Sequence, residues 1–315
     1  MTTRSTGPAV SLADLGLLLY LGAVWGAAFL FFHVAAPELG PIWTAELRVA
    51  IAGLALALFT GRATIALART RLLPVLFVGL TFSAIPFSLL AFATLTLPAS
   101  FASVLMATTP LFTALVGAVW LRQGLSLPVA AGLGIGFGAV ALIVGGTPLD
   151  LGPAALVAVA AGLAASFSYA VAGTFVRRRL GSVGGAELAT GQLLAAAVIL
   201  LPVAILSGPP AMPSPDALES VVAMALISTA IAWPAYFRIA RRTNPTAASA
   251  STFIVPMFGM LWGSVILGES IGVELIGGFG LVLVSLVLVL RLPLPSARRV
   301  RVAFGRTVAR MAAPA

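Results

Sequence analysis

Two charged residues, Glu46 and Arg48, lie within a long apolar stretch of the sequence and are the first candidates for chemistry. A charge inside a membrane-length apolar segment is costly and usually serves a function. The carboxylate could carry a proton, and the guanidinium could bind a substrate. Two residues apart on a helix, the two side chains do not face each other. The alternative is structural: Arg48 would bond carbonyls at a helix end or Glu269 at the same level, and Glu46 would be anchored similarly.

Most catalytic chemistry is excluded by residue types that the chain lacks. It has no cysteine, which removes thiol nucleophiles, thiolate metal sites and disulfides. It has no lysine either, because all 18 basic residues are arginines, and this removes a Walker A phosphate loop and a lysine Schiff base. His33 is the only histidine, so a multi-histidine metal site is excluded as well. We therefore expect no enzyme, no metal, no cofactor and no ATP-driven pump.

The composition is that of a membrane protein. Hydrophobic residues make up 60% of the chain and charged residues 9%, and the mean hydropathy is +1.12. Soluble domains carry about 25% charged residues, so this chain has too few to cover a globule. The net charge of +9 comes from short basic loops and one tail, without the aromatic-interleaved basic patch of a nucleic-acid surface. We predict an all-α polytopic membrane protein with no nucleic-acid partner.

Ten segments are long and apolar enough to cross a bilayer, which takes about 20 residues. The hardest boundary lies in the uncharged stretch of residues 72–121, because a single helix of that length would be roughly 75 Å long. Leu97-Pro98 is the only plausible break in it. The predicted spans are Leu15–Val34, Pro41–Phe59, Leu72–Ala93, Ala99–Leu121, Leu127–Val144, Pro153–Val176, Ala186–Leu206, Ala217–Phe237, Thr246–Leu267 and Val273–Leu290.

The arginines indicate the orientation of these spans. With a cytoplasmic N-terminus, 17 of the 18 arginines fall in segments on the inner side and none in the outer loops; Arg48 is the exception. This distribution follows the positive-inside rule. We therefore expect both termini to be cytoplasmic and the protein to be a multi-pass protein of the plasma (cell inner) membrane. Residues 292–315 would form an arginine-rich cytoplasmic tail that lies on anionic lipid.

The second half of the chain repeats part of the first. Residues 99–134 align without gaps with residues 245–280, at an offset of 146, and ten of the 36 pairs are identical. They include one proline pair and three glycine pairs, which reflect backbone requirements. Because five crossings is an odd number, a second set of five lies upside down relative to the first. We predict two inverted five-helix repeats, residues 15–145 and 153–291.

The same residues carry a family resemblance. The first half has Trp25-Gly26-Ala27-Ala28-Phe29, Arg48, and Ala99-Ser100-Phe101-Ala102-Ser103 followed by Pro110-Leu111-Phe112; the second half has Thr246-Ala247-Ala248-Ser249-Ala250, Pro256 and Leu267-Gly268-Glu269. Over nearly its whole length the chain resembles the drug/metabolite transporter (DMT) superfamily, EamA family. One departure is Leu121-Arg122-Gln123, where the family has Leu-Gly-Glu. The resemblance implies a secondary transporter of small metabolites with a central cavity between the halves.

Aromatic and hydroxyl side chains gather near prolines inside the predicted spans. A proline frees a backbone carbonyl that needs another partner, and a kinked helix beside a cavity supplies one. The kink or hinge candidates are Pro86, Pro110, Pro234 and Pro256. A pocket of rings with a few hydroxyls suits amphipathic organic solutes, although each side chain could instead face lipid or a neighbouring helix. The cavity candidates are Trp25, Phe29, Phe87, Ser88, Phe92, Ser103, Met106, Tyr169, Trp233, Tyr236 and Thr252.

These observations favour a secondary active transporter of small organic metabolites, amino-acid-like or amphipathic solutes, working by alternating access. Export is favoured over import by the resemblance alone, and Glu46 and Arg48 are the coupling candidates. A flippase for lipids or lipid-linked solutes, or a channel, is the alternative with the same ten-helix architecture. The expected partners are a small organic substrate and membrane lipids, with the chain acting as a monomer or a homodimer.

Overall fold

The computed structural model describes residues 12–120, 122, 124–146, 152–208, 212–236 and 251–290, and within them the chain is helical with short connections and no β-strand. Seven helical segments are long and apolar enough to cross a membrane, and two apolar helices are shorter. The seven are Ala13–Leu39, Pro41–Ala93, Ala99–Trp120, Leu127–Gly146, Pro153–Arg179, Gly185–Leu206 and Pro215–Tyr236; the two are Phe253–Leu267 and Val273–Val289. The predicted tail, residues 292–315, and the start of the predicted ninth span lie outside the described residues.

The helices follow one another closely along the chain. In order they are α1 (Leu12–Leu39), α2 (Pro41–Val78), α3 (Ile85–Ala93), α4 (Ala99–Met106), α5 (Thr109–Trp120), α6 (Leu127–Gly146), α7 (Pro153–Arg179), α8 (Gly185–Leu206), α9 (Pro215–Ala225), α10 (Ser251–Leu267) and α11 (Val273–Val289). Two π-helical turns interrupt this pattern. The first, Gly79–Ala84, joins α2 to α3; the second, Leu226–Ile231, follows α9 and leads into a short helical stretch at residues 232–236.

The second predicted span is longer than the sequence indicates. The apolar pattern ends it at Phe59 and puts Arg62 in a loop, but α2 continues to Val78. Residues 60–70 contain no proline, and five of these eleven residues are alanine or arginine, which are good helix formers. The helix therefore extends past the apolar segment, with Arg62 exposed. At Arg71 the backbone leaves helical geometry (φ −140°, ψ 41°), and this kink falls between the second and third predicted spans.

The predicted break at Leu97-Pro98 is confirmed. Residues 94–98, between α3 and α4, are not helical, because a proline disfavours helical geometry at the residue before it. A second interruption at residues 107–108 divides the predicted fourth span into α4 and α5. It lies just before Pro110, whose ring disfavours the helical hydrogen bond of the preceding turn.

Glycines bring helices from the two halves of the chain into close contact. α1 packs against α10 at Gly26, where an added Cβ would lie 2.7 Å from the Cβ of Phe258 and 2.8 Å from the backbone nitrogen of Gly259. α6 packs against α11 at Gly132, and α2 against α8 at Gly53. Small residues at such positions let the backbones approach, and dispersion contacts then stabilise the pair in lipid.

Two clusters of buried apolar side chains form the interior. The larger is built mainly from α1, α2, α3, α8 and α9, and the second mainly from α4, α5, α6 and α11. α7 contributes to both clusters. The elements that carry the candidate site therefore rest on packed helices from both halves of the chain, which hold the side chains of the site in place.

Candidate functional site

A cavity of about 870 Å³ lies among helices from both halves of the chain. At one end its lining side chains, including Phe32, Arg48 and Leu90, are buried. At the other end Leu125 and Arg177 line the cavity and are exposed. We call these the closed end and the open end. A cavity of this size can enclose a small organic molecule.

Five aromatic side chains of the cavity lining form a continuous chain of ring contacts. Trp25 lies 6.2 Å from Trp233 and 5.7 Å from Tyr236, between ring centroids, and Phe82 lies 5.6 Å from Trp233 and 5.3 Å from Tyr169. All five line the cavity, and we call them the aromatic wall. These separations are in the range in which rings attract one another in tilted or edge-to-face pairs. The wall therefore offers a large, pre-organised apolar surface to a bound solute.

The second π-helical turn positions two side chains of the cavity. Its Ser228 carbonyl accepts a hydrogen bond from Trp25 Nε1 at 3.0 Å. Its Thr229 hydroxyl donates to the carbonyl of Met224 at 2.9 Å and accepts from Arg48 Nε at 3.0 Å. A π-helical turn shifts the helix face by one residue and leaves carbonyls free for other donors, and such turns occur often at functional sites.

Arg48 lies at the closed end, between aromatic rings. Its guanidinium carbon is 3.8 Å from the ring centroid of Phe87 and 5.1 Å from that of Phe32. Stacking of this kind stabilises the cation through the ring quadrupole. The contact with Glu269, which the structural interpretation of Arg48 expected, is not made, because the carboxylate of Glu269 binds elsewhere.

Glu269 binds the beginning of α4. Its two carboxylate oxygens accept hydrogen bonds from the backbone N–H groups of Ala99 at 2.6 Å and Ser100 at 2.9 Å. The first N–H groups of a helix lack partners within the helix and carry the positive end of its dipole, so a carboxylate is favoured there. Gly268, with φ 68°, turns the chain after α10 and so brings Glu269 to this position.

Two further polar contacts tie helix ends on the same side of the molecule. The Glu38 carboxylate at the end of α1 accepts from the backbone N–H of Ser214 at 2.6 Å and from its hydroxyl at 2.8 Å. Trp43 Nε1 at the start of α2 donates to the carbonyl of Gly208 at 2.7 Å. With Glu269, these contacts join helix ends near the closed end of the cavity, since Arg48 lies seven residues after the start of α2 and Ala99 belongs to the same apolar cluster as Phe32 and Phe87.

The cavity brings together many of the residues that the sequence singles out. Ser88, Phe92 and Ser103 are not among its lining residues: Phe92 is exposed, and the Ser103 hydroxyl donates to the carbonyl of Ser100. The side chain of Thr252 lies outside the described residues. The predicted residues that do line the cavity are Trp25, Phe29, Phe87, Met106, Tyr169, Trp233 and Tyr236.

Some of the predicted prolines and one residue of the charged pair also line the cavity, and the others do not. Pro110 and Pro256 line the cavity, whereas Pro86 and Pro234 do not appear in its lining. Pro86 is buried at the start of α3, directly after the first π-helical turn. Arg48 lines the cavity, whereas Glu46 does not.

Several lining residues escape the sequence interpretation. Phe32 follows Trp25 by seven residues and Phe29 by three, so the spacing along α1 is the signal that would have found it. Arg177 belongs to a basic group at the end of α7, where the orientation rule already explains its presence. Thr229 has no sequence signal, because its position depends on the π-helical turn.

The sequence is similar to known proteins of one transporter family. The model of the EamA-like transporter family matches residues 14–145 and again residues 156–291. Among curated relatives, an uncharacterised inner membrane transporter of Escherichia coli strain K12, YedA, is 25% identical over 266 residues, 81% of this chain and 83% of the relative. A protein of Streptantibioticus cattleyicolor, named as a probable terminal-alkyne amino-acid exporter, is 28% identical over 250 residues, 78% of this chain and 82% of the relative.

The fold is also found among solved structures. One crystal structure superposes with a TM-score of 0.58 over 88% of this chain and 96% of the other, at 18% sequence identity. Together with the apolar helices of membrane length, the relatives identify an integral, multi-pass protein of the inner membrane. Two matches of one transporter family cover nearly the whole sequence, and the chain therefore belongs to the EamA-like transporter family.

Proposed function

We propose that the protein is a secondary active transporter, not an enzyme, and that it exports small organic solutes by alternating access. The observation that carries this proposal is the cavity of about 870 Å³, which is exposed at the Arg177 end and buried at the Arg48 end. A transporter of this kind opens its central site to one side of the membrane at a time. A channel needs a path open at both ends, so the buried closed end favours a transporter over a channel.

We further propose ten spans arranged as two inverted repeats. The family model matches the chain twice, once in each proposed repeat. The kink at Arg71 supplies the division of the 53-residue segment Pro41–Ala93 into two crossings. The π-helical turns begin at Gly79 and Leu226, an offset of 147 residues, which differs by one from the offset of the sequence repeat. Each turn would then occupy the same place in its repeat, in the third and eighth spans.

The proposed orientation can be measured directly. Because the arginines outside the spans all fall on one side, both termini should be cytoplasmic. A reporter enzyme that is active only outside the cytoplasm, fused after Ala315, should be inactive, and a cytoplasmic reporter at the same point should be active. The control is the same pair of reporters fused after residue 208, where the proposed topology is reversed. Activity of the external reporter after Ala315 would contradict the topology.

An export assay tests the function itself. A panel of metabolites and toxicants, led by amino acids because of the named activity of one relative, is compared for accumulation in cells with and without the protein. We expect at least one solute to accumulate less when the protein is present. Gly173 lines the cavity and has open space around an added Cβ, so the side chain of Gly173→Leu should project into the cavity and reduce the difference. Gly138→Leu also meets open space but lies outside the lining, and should leave export unchanged.

Proton coupling, if it drives this export, should depend on Glu46. Glu46 is buried near the start of α2, and its Oε2 has no hydrogen-bond partner among the described residues. Glu46→Gln keeps the shape of the side chain and removes its titration, so we expect slower proton-driven transport and a flatter pH profile in membrane vesicles. Glu187→Gln is the matched control, since Glu187 Oε2 is also buried without a partner but lies at the start of α8. Unchanged rate and pH profile would leave Glu46 only a structural role.

A further inference from the structure

We propose that the cavity binds its solute by an anionic group, a carboxylate, held by the guanidinium of Arg48 at the closed end, with an apolar or aromatic body against the aromatic wall. This inference rests on the proposed transport function and names its substrate class. Organic cations and neutral solutes of the same shape would bind more weakly.

The charges that line the cavity are of one sign. Among its lining residues the charged ones are Arg48 and Arg177, and no described carboxylate belongs to the lining. Of the nine acidic residues of the chain, eight lie in the described part, and the ninth is Asp150. Low-dielectric surroundings strengthen the field of a fixed charge. The cavity therefore attracts anions and repels cations along its length, from Arg177 at the open end to Arg48 at the closed end.

Arg48 is a buried cation without a protein counter-ion in the described residues. Its side chain is only 5% exposed. Nε is used by the hydroxyl of Thr229, and the ring of Phe87 covers one face of the guanidinium. Neither contact neutralises the charge, and a buried cation without a negative partner is costly, more so at membrane depth. The observed contacts orient the group but leave its charge for a ligand to balance.

The free edge of the guanidinium has the geometry of a carboxylate site. With Nε bonded to Thr229, the two terminal nitrogens of Arg48 present parallel N–H donors. Two parallel donors match the two oxygens of a carboxylate in a bidentate pair, which is stronger than a single neutral hydrogen bond. A lysine at this position would keep the charge but would bind a carboxylate only as a point charge. Arg48→Lys therefore separates the contribution of the charge from that of the paired donors.

The aromatic surroundings select the rest of the solute. Phe87, which stacks on Arg48, is 6.5 Å from Tyr169, and Tyr169 belongs to the aromatic wall. A solute whose carboxylate meets Arg48 thus has its body beside the rings of the wall. Burial of apolar area there adds affinity. The predicted ligand is an amphipathic organic monoanion with an apolar or aromatic body.

The test uses three probes with one body and different charge. 3-Phenylpropionate, its neutral amide and 3-phenylpropylamine are titrated into the purified full-length protein in detergent at neutral pH. Binding is followed by intrinsic tryptophan fluorescence, to which the cavity residues Trp25 and Trp233 contribute two of the five tryptophans. The variants are Arg48→Gln, Arg48→Lys and, as the off-cavity control, Arg178→Gln. Arg178 belongs to the same basic group as Arg177 but does not line the cavity.

We expect the wild-type protein to bind the carboxylate at least about tenfold more tightly than the amide or the amine, a difference of about 1.4 kcal/mol. Arg48→Gln should remove this preference, Arg48→Lys should keep part of it, and Arg178→Gln should keep all of it. Equal binding of the three probes, or no binding of any, by the wild-type protein would overturn the proposal. A preference that survives Arg48→Gln would overturn the role of Arg48.

The wild-type comparison does not depend on the variants, so it decides the substrate class even where Arg48→Gln fails to fold. The binding test also needs no gradient and no membrane, which separates it from the transport function. A carboxylate preference in a protein that exports nothing would contradict the proposed function and retain the anion site. Export of cations or neutral solutes without a carboxylate preference would support the proposed function and contradict the anion site.

Discussion

Gly26→Ala should destabilise the protein strongly, although it adds only one methyl group. An added Cβ at this position would lie 2.7 Å from the Cβ of Phe258, 2.8 Å from the backbone nitrogen of Gly259 and 2.9 Å from the carbonyl carbon of Phe258. These are close neighbours that include backbone atoms of α10, so no side-chain rotation can make room. Overpacking in a well-packed interior costs about 1–3 kcal/mol. We expect a lower midpoint of thermal unfolding in detergent and a lower yield of monodisperse protein.

A matched control lies in the same helix. An added Cβ at Gly16, also in α1, would meet nothing within 4 Å. Alanine is a better helix former than glycine by about 0.8–1.0 kcal/mol, so Gly16→Ala should be neutral or stabilising. If the two substitutions lower the unfolding midpoint equally, the close packing of α1 against α10 at Gly26 is wrong.

The sequence predicts a helix boundary well where the conformational preference of a local residue decides it. Residues 94–98 are non-helical where Leu97-Pro98 predicts a break, because the restriction that proline imposes is local. The extension of α2 beyond Phe59 is not visible in the apolar pattern. That pattern reports where a bilayer lies, whereas a helix ends where its backbone geometry fails, and here the failure comes at Arg71.

The cavity is predictable only in part, for a related physical reason. Trp25 and Phe29 lie on one face of an ordinary helix, so spacing finds them, and both line the cavity. Arg48 is correctly singled out as an unusual charge, but its partners Phe87 and Thr229 belong to helices distant in sequence. The π-helical turn that presents Thr229 shifts the helix face by one residue, and no residue pattern in this chain marks where such a turn occurs.

The proposed alternating access requires that contacts at the closed end break when the cavity opens there. Glu269 is the group best suited to such a contact. It follows α10, in the second half of the chain, and its carboxylate binds two N–H groups at the start of α4, in the first half. Hydrogen bonds to a charged group contribute about 1.5–3 kcal/mol each. A contact of this strength is comparable to the few kcal/mol that separate two conformations of a protein.

The sequence repeat adds an asymmetry to this contact. At the offset of 146 residues, Glu269 corresponds to Gln123, and Ala99 corresponds to Pro245. The symmetry-related contact would join Gln123 of the first repeat to Pro245 of the second, an uncharged amide to a residue without a backbone N–H. By sequence, that contact therefore lacks the carboxylate and one of the two N–H donors of the contact that Glu269 makes. Closure at the Arg48 end should be the more stable of the two closures in the protein at rest.

Glu269→Gln should therefore open the closed end. The amide oxygen can accept from one N–H group, but its NH2 group faces the other donor, so one hydrogen bond and the charge are lost. A loss of about 1.4 kcal/mol changes the ratio of the two conformations tenfold. The readout is Thr109→Cys, a cavity-lining position in a chain with no native cysteine, treated in whole cells with a thiol reagent that cannot cross the membrane. We expect labelling from outside to become about tenfold faster when Glu269→Gln is added.

Glu219→Gln, which changes an exposed carboxylate near the start of α9, should leave the rate unchanged. Labelling of the same background in inverted vesicles checks that the protein remains folded. Unchanged labelling from outside in a folded Glu269→Gln protein would show that Glu269 only caps α4 and does not hold the cavity closed.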